Sequence, residues 1–312
     1  MISNLPIIVG PTASGKTAIA VELAEQIGAE IISADSMLVY RGMDIGTAKP
    51  SAGELARVPH HMIDVADPRA DFSVGQYLRL AEDAIADITG RGKIPLVVGG
   101  TGLYVRALTD GLFEGTSADP ELREGLIERE TAEPGTLYAQ LKEADHEAAA
   151  RIHPSDIRRV VRALEVFLKE GKPISEVHRE HKAGSHPRPA NIVGLTLGRP
   201  ALYRRIEERV DAMMAAGFLD EVRGLREQGC TREMTSMYAL GYKQMLAHLD
   251  GETTLEEAVG LIKRDTKRYA KRQFTWFNAV PEVRWLDLSA QEDRAKVLEE
   301  VKKGLDIFRF LR

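Results

Sequence analysis

The stretch Gly10-Pro11-Thr12-Ala13-Ser14-Gly15-Lys16-Thr17 has the residue types that chemistry at a phosphate needs. Its two glycines let the backbone bend tightly and bring several N–H groups to one point. Lys16 offers a point charge to outer phosphate oxygens, and Thr17 a hydroxyl able to ligate Mg²⁺. The apolar run Leu5–Val9 precedes the motif and a helical pattern over 18–26 follows it. Strand, glycine-rich loop and helix in that order form a phosphate-binding P-loop. The helix adds free N–H groups and its positive dipole end. The motif holds a di- or triphosphate, and a nucleotide fits it as readily as another diphosphate. Whether the phosphate is transferred, hydrolysed or simply departs is left open.

Positioning such a loop takes a sheet. Apolar runs at Leu5–Val9, 30–34 and 94–98 read as parallel strands, with helical patterns over 18–27 and 74–89 between them. This alternation predicts an α/β fold, a P-loop NTPase-like parallel sheet flanked by helices. Ligands of such sheets lie beyond the carboxyl ends of the strands. The first strand runs into the P-loop, the second into Asp35-Ser36 and the third into Gly99-Gly100-Thr101-Gly102. Three polar turns far apart in sequence should therefore converge on one crevice.

From 116 to 189 the pattern changes to a mostly helical insertion, with helices expected over 121–131, 136–144 and 155–170 and a linker over 184–189. Residues 1–115 and 190–312 then form the P-loop core. A returning strand is expected over 191–197 and a short one over 283–286. Helices are expected over 201–216, 219–228, 255–277 and 290–309.

The 312 residues can bury a full core, and no apolar run is long enough to cross a bilayer. The N-terminus shows neither a charged n-region nor a cleavage signal, so no secretory peptide is expected. Cys230 is the only cysteine, which excludes an intrachain disulfide and a multi-cysteine zinc site. No histidine pair among His60, His61, His153, His178 and His181 matches a zinc motif. A cytoplasmic, monomeric enzyme with no membrane attachment is expected. A net charge of −5 argues against indiscriminate nucleic-acid binding. Basic residues are nevertheless concentrated at Arg158, Arg159 and Arg162, and at Lys263, Arg264, Lys267, Arg268, Lys271 and Arg272, the latter with Asp265 as the one acid in the run. Such local surfaces suit a polyanion met at a chosen face. Trp276 and Phe277 read as core residues by their apolar placement.

Further motifs extend the pattern: Ser-Ala-Asp-Ser at 33–36, Tyr-Arg-Gly-Met-Asp-Ile-Gly-Thr-Ala-Lys-Pro at 40–50, Val-Gly-Gly-Thr-Gly-Leu-Tyr at 98–104, Arg-Ala-Leu-Glu-Val at 162–166, Leu-Gly-Tyr-Lys-Gln at 240–244 and Tyr-Ala-Lys-Arg-Gln-Phe-Thr-Trp-Phe at 269–277. With the P-loop they resemble, across nearly the whole chain and in order, the bacterial tRNA dimethylallyltransferases, also called tRNA isopentenyl transferases. The stretches at 40–50 and 269–277 are the specific ones. The resemblance implies transfer of a five-carbon dimethylallyl group from dimethylallyl diphosphate to N6 of the adenosine at position 37 of tRNA. It also implies a helical insertion that clasps the anticodon stem-loop, a partner matching the basic clusters.

On that reading, the backbone N–H groups of 12–17, Lys16 and Mg²⁺ on Thr17 neutralise the departing diphosphate. The resemblance adds Thr12 and Arg209, although helical spacing alone would leave Arg209 on a solvated face. Asp35 is the candidate general base for the acceptor amine, and Thr101 could hold the same amine or a ring nitrogen. The resemblance assigns tRNA contacts to Asp35, Ser36, Met37 and Leu38, to Arg123, to Arg158, Arg159, Val160, Val161 and Arg162, and to Tyr238, Gly241, Tyr242 and Lys243. Tyr238 stands where some relatives carry arginine or glutamine. Two rival readings share the P-loop: a small-molecule or nucleoside kinase, and a prenyltransferase acting on free adenine nucleotide. A nucleotide-gated binding module without chemistry is a third, opposed by Asp35 at the crevice.

Overall fold

A computed structural model describes residues 4–111, 119–184, 187–289 and 293–307. Its sheet has six strands: β1 (Leu5–Val9), β2 (Ala29–Ala34), β3 (His60–His61), β4 (Ile94–Gly99), β5 (Ala190–Thr196) and β6 (Val283–Asp287). All pairings are parallel and the order is β3-β2-β4-β1-β5-β6. From β1 the chain crosses to β2 and β3 on one side, returns to place β4 between β2 and β1, and then continues to β5 and β6 on the other side, so the order reverses at β1 and a crevice opens at its carboxyl end. Val9 pairs with Gly99, and Gly99 with Ala34, so β1, β4 and β2 end level with one another.

Successive strand residues point to opposite faces, and each face has its own core. Ile8, Ile31, Leu96 and Val193 pack with Ile19 and Leu23 of the P-loop helix Lys16–Ile27 and with Val297 and Val301 of the helix Arg294–Gly304. Ile7, Ile32, Val97 and Ile192 pack on the other side with Tyr77 and Ala81 of Val74–Gly90, Tyr104 of Gly102–Asp110, and Phe277 of the long helix Leu255–Asn278. Capping boxes at Ser73/Gln76 and Thr254/Glu257 fix where two of these helices begin. Glu30 points from β2 into a site with 2% exposure. It survives there because Arg91, Lys93 and His61 all reach its carboxylate, and the Arg91 hydrogen bond leads in holding its pKa far below the usual range.

Two compact units emerge, one of Met1–Thr109 with Arg188–Arg312, the other Asp110–Pro187. The second unit is helical throughout its described residues: Pro120–Ala132, Thr136–Ala144, His146–Arg151, Ile157–Glu170 and Ile174–Gly184. Asp145 ties it internally, accepting from the Ala148 and Ser175 N–H groups at 2.8 Å each. The helix expected from 155 starts at Ile157 because Asp156 caps it, and Gly171 in the left-handed region ends it. Residues 112–118, where the insertion was expected to begin, lie outside the described residues.

The sequence reading did not include the strand β3, too short for any periodicity, or the helices Ala52–Arg57, His146–Arg151, Ile174–Gly184, Gly102–Asp110 and Tyr242–Leu249. The last two open with glycines that read as turn signals. The final helix is Arg294–Gly304 where 290–309 was expected, with 290–292 and 308–312 outside the described residues. The linker expected from 184 gives way to a helix running through Gly184, and 185–186 lie outside the described residues. No described helix is long and apolar enough to cross a membrane.

Candidate active site

The P-loop closes on itself through glycine geometry. Gly10 has φ +148°, and a Cβ there would lie 2.2 Å from the Leu195 carbonyl oxygen on β5. Gly15, at φ +93°, turns the chain into the helix at Lys16. Between them Ala13 holds φ +63°, a conformation that costs a non-glycine residue free energy and gathers at ligand-binding turns. Ser14 is fully buried, and its hydroxyl has no partner among the described residues. The first-turn N–H groups of the helix lack intrahelical acceptors and face the loop mouth.

Lys16 Nζ donates to the Pro11 carbonyl at 2.7 Å, folded over the loop it serves. Desolvation of that ammonium brings its pKa down to about 7; the Asp35 charge pulls it up and Arg209 pushes it further down. Thr17 is exposed at the helix start, free to face a ligand. Two of the expected phosphate donors are already engaged: the Thr12 N–H donates to Gln273 Oε1 at 2.8 Å, and the Ser14 N–H to the Pro11 carbonyl at 3.3 Å. The cradle of 12–17 is narrowed accordingly, because Gln273 reaches the loop from the long helix.

Arg209 does not lie on a solvated face. From the helix Arg199–Ala215 its Nη1 donates to Thr12 Oγ1 at 3.1 Å, and desolvation lowers its pKa while the Asp35 charge raises it. Lys16, Arg209 and Thr12 thus form one cationic corner with Asp35 within electrostatic reach.

Asp35 follows β2. Its Oδ1 accepts the Met37 N–H at 2.9 Å, which fixes the turn through Ser36 and leaves the other carboxylate oxygen to a ligand. Thr101 joins the same corner from β4: its N–H donates to the Ala34 carbonyl at 3.0 Å, and its hydroxyl accepts the Ser36 N–H at 3.0 Å. Tyr269 stands beside Thr101 and Gln273, and burial raises its pKa, with the Asp35 charge adding to the effect. Tyr77 and Tyr104, stacked at 3.7 Å and 9°, are also pushed up chiefly by burial with Asp35 contributing. Asp35 therefore has two cationic side chains and three neutral phenols around it. Tyr269 and Gln273 stand in the 269–277 motif, but the sequence reading gave neither a role and took only charge from the run 263–272. Their spacing with Phe277, at i, i+4 and i+8, was the available signal for one inward face.

Several sequence-assigned contacts need correction. Val160 and Val161 are buried in the core of the second unit, on the apolar face of a helix whose other side carries Arg158 and Arg159. Tyr242 is fully buried, and its hydroxyl donates to Glu221 at 2.6 Å. Glu221 also accepts the N–H groups of Asp44, Ile45 and Gly46, so it holds the 40–50 motif in place. Gly241 is buried too, at φ +96°, where it caps the helix bearing Tyr242. Tyr238 and Lys243 do line an open groove together with Arg232 and Met237. Met37 is partly buried against the core around Val39 and Tyr40, and Leu38 supplies its carbonyl to the Asp64 N–H. Trp276, expected in the core, is 42% exposed and lies across Gly102, whereas Phe277 is buried as expected.

The run at 263–272 has more acidic partners than its own sequence shows. Lys263 pairs with Asp211 and Lys267 with Glu207, both from the neighbouring helix, while Arg264 and Arg268 share Asp265. In the second unit Arg123 grips fully buried Glu165 with Nε at 2.9 Å and Nη2 at 2.8 Å, and Arg162 adds Nη1 at 2.5 Å. Among the described residues no group of three or more His, Cys, Asp or Glu side chains could hold a metal ion, and the His181 side chain lies outside them. Thr17 is the residue of this donor set that would ligate a Mg²⁺ ion brought in with a phosphate group.

The IPP transferase family model matches residues 38–280, and the isopentenyl transferase model residues 3–65. The chain is 53% identical over 287 residues to the tRNA dimethylallyltransferase of Syntrophobacter fumaroxidans, covering 91% of this chain and 84% of that protein. Among solved structures it is similar to the full-length tRNA isopentenylpyrophosphate transferase of Bacillus halodurans, with 42% identity, 99% of each chain covered and a TM-score of 0.72. It is also similar to a eukaryotic dimethylallyltransferase acting on tRNA, with 28% identity, 98% of this chain and 77% of that one covered, and a TM-score of 0.79.

Proposed function

The chain belongs to the IPP transferase family, and on that premise we propose that it transfers the dimethylallyl group of dimethylallyl diphosphate to N6 of the adenosine at position 37 of tRNA, releasing diphosphate. The observation that carries this reading is the level ending of β1, β2 and β4. It brings a diphosphate loop, Asp35 and Thr101 to one corner with Arg209 closing it.

The N6 lone pair attacks C1 of the dimethylallyl group, and the C1–O bond breaks with its electron pair leaving on the diphosphate. Lys16, Arg209, the Thr12 hydroxyl and the free N–H groups of the loop take up that charge. The Thr17 hydroxyl would be the side chain that holds a Mg²⁺ ion here, and that ion would supply further neutralisation of the diphosphate charge. Asp35 accepts a hydrogen bond from the amine and then its proton, and Thr101 orients the base. The target adenine is unpaired in the anticodon loop, so taking it out of its stack costs less than opening a pair. Arg123, Arg158, Arg159 and Arg162 of the helical unit, with Tyr238 and Lys243 of the core, supply phosphate and stacking contacts to the stem-loop. The protein works as a monomer in the cytoplasm.

An acceptor comparison tests the reading. Labelled dimethylallyl diphosphate, Mg²⁺ and protein are offered unmodified tRNA, AMP or ATP. Label on tRNA alone is the expected result. Label confined to AMP or ATP places the protein with free-nucleotide prenyltransferases, and ATP consumption with nucleosides in the absence of transfer makes it a kinase.

A further inference from the structure

The side chain of Gln273 spans the two halves of the reaction corner. Its Oε1 accepts the Thr12 N–H of the diphosphate loop at 2.8 Å, and its Nε2 donates to the Gly100 carbonyl at 3.0 Å, one residue before Thr101. A backbone N–H can only donate and a carbonyl can only accept, so this pair of partners fixes which end of the amide faces which loop. Gln273 is 5% exposed, and a Cβ on Gly100 would lie 2.2 Å from its Nε2 and 3.3 Å from the Gly10 carbonyl oxygen. The absence of a side chain at Gly100 is what lets the amide reach between the loops. One turn earlier on the same helix Tyr269 stands beside Thr101 and Gln273, and one turn later Trp276 lies against Gly102.

We infer that Gln273 is a positioning residue, setting the distance between the loop that holds the leaving diphosphate and the turn that holds the acceptor amine. The inference rests on the transferase reading above. Gln273 touches neither substrate. It acts through Thr12, whose hydroxyl also receives Arg209, and through the Gly100-Thr101 turn. When the two loops drift apart, C1–O cleavage remains possible but N6 is out of line, and water captures the allylic centre. Water oxygen then bonds to carbon, diphosphate leaves with the C1–O electron pair, and a proton goes to solvent, giving dimethylallyl alcohol.

The measurement is the ratio of dimethylallyl alcohol to prenylated tRNA, taken with kcat, KM and the thermal midpoint. Gln273→Met keeps the side-chain length and removes both hydrogen bonds. It should lower kcat about 10- to 100-fold, the scale of an ångström-level misplacement, with a smaller change in either KM and a raised alcohol ratio. Gln273→Glu retains an acceptor for Thr12 but loses the donor to Gly100, and should also raise the ratio. Phe274→Ala, which removes a ring packed on Trp285 at 4.9 Å, controls for helix stability alone and should leave the ratio at the wild-type value. An unchanged ratio in both Gln273 variants overturns the inference while leaving the transferase reading intact. Wild-type protein that transfers nothing to tRNA overturns both.

Discussion

Arg209 and Thr12, 197 positions apart, meet in a hydrogen bond of 3.1 Å from Nη1 to Oγ1. The contact puts a guanidinium from a distant helix at the rim of the phosphate loop, where charge grows as the diphosphate departs. A charge-assisted hydrogen bond is worth about 1.5–3 kcal/mol, so Arg209→Met should reduce kcat/KM for dimethylallyl diphosphate about 10- to 100-fold. Steady-state kinetics with that substrate varied decide it. Arg209→Lys should restore little, since an ammonium lacks the planar fork. Wild-type kinetics in Arg209→Met would remove this residue from leaving-group stabilisation.

Asp35→Asn separates chemistry from architecture. The amide oxygen still accepts the Met37 N–H, so the turn after β2 persists, but the proton acceptor is gone. Turnover should fall about 10²- to 10⁴-fold with tRNA affinity preserved. Gel-shift and single-turnover measurements on the same preparation check both halves. Normal turnover would take Asp35 out of the base role.

Burial sets the pH dependence through Lys16. Its pKa of about 7 means that the free enzyme loses this cation as pH rises through neutrality. A diphosphate prefers the charged form, so kcat/KM for dimethylallyl diphosphate should decline above about pH 7. Bound substrate pulls the lysine pKa up, so the same limb in kcat should move to higher pH. Lys16→Met should abolish the limb as well as weaken binding. A wild-type profile that is flat through neutrality would contradict this assignment.

Glu165 makes the helical unit acid-sensitive. Burial pushes its pKa up, but hydrogen bonds from Arg123, the Asp119 N–H and Arg162 outweigh that and bring it to about 2. A carboxylate depressed in the folded state stabilises fully above its unfolded value of about 4.3. That contribution is lost as pH falls from there towards about 2. Thermal melts across this range should show a slope that Glu165→Gln reduces. Glu165→Ala at neutral pH removes the shared partner of two arginines that are each about a third exposed and should cost about 1–3 kcal/mol, the range for losing one side of a buried hydrogen-bonded group. A melt indistinguishable from wild type would show that the cluster contributes nothing to this unit.

The crevice was readable from sequence because strand ends obey topology: a P-loop, Asp35 and Thr101 each follow an apolar run, and parallel order makes those ends adjacent. The inward turn of Arg209 was not readable, since nothing in the spacing around it distinguishes its face from a solvated one. Gln273 and Tyr269 were hidden for a different reason. Tyr269 lies within, and Gln273 directly after, a run with six basic residues, and charge masked the inward i, i+4 pair. Glu207 and Asp211, which pair with Lys267 and Lys263, belong to another helix, so the apparent excess of positive charge was a property of the local window and not of the fold. Val160, Val161 and Tyr242 show the opposite error, where a segment-level resemblance swept in residues that the helix period turns inward.

Mapping the modification bears most directly on the whole reading. Unmodified tRNA would be incubated with the protein, Mg²⁺ and labelled dimethylallyl diphosphate, then cut with nucleases of known specificity, and the labelled fragment and nucleoside identified by mass. A single dimethylallyl group on N6 of the adenosine at position 37 is the expected result. Label on another nucleotide, or none on tRNA while free AMP is prenylated, would contradict it.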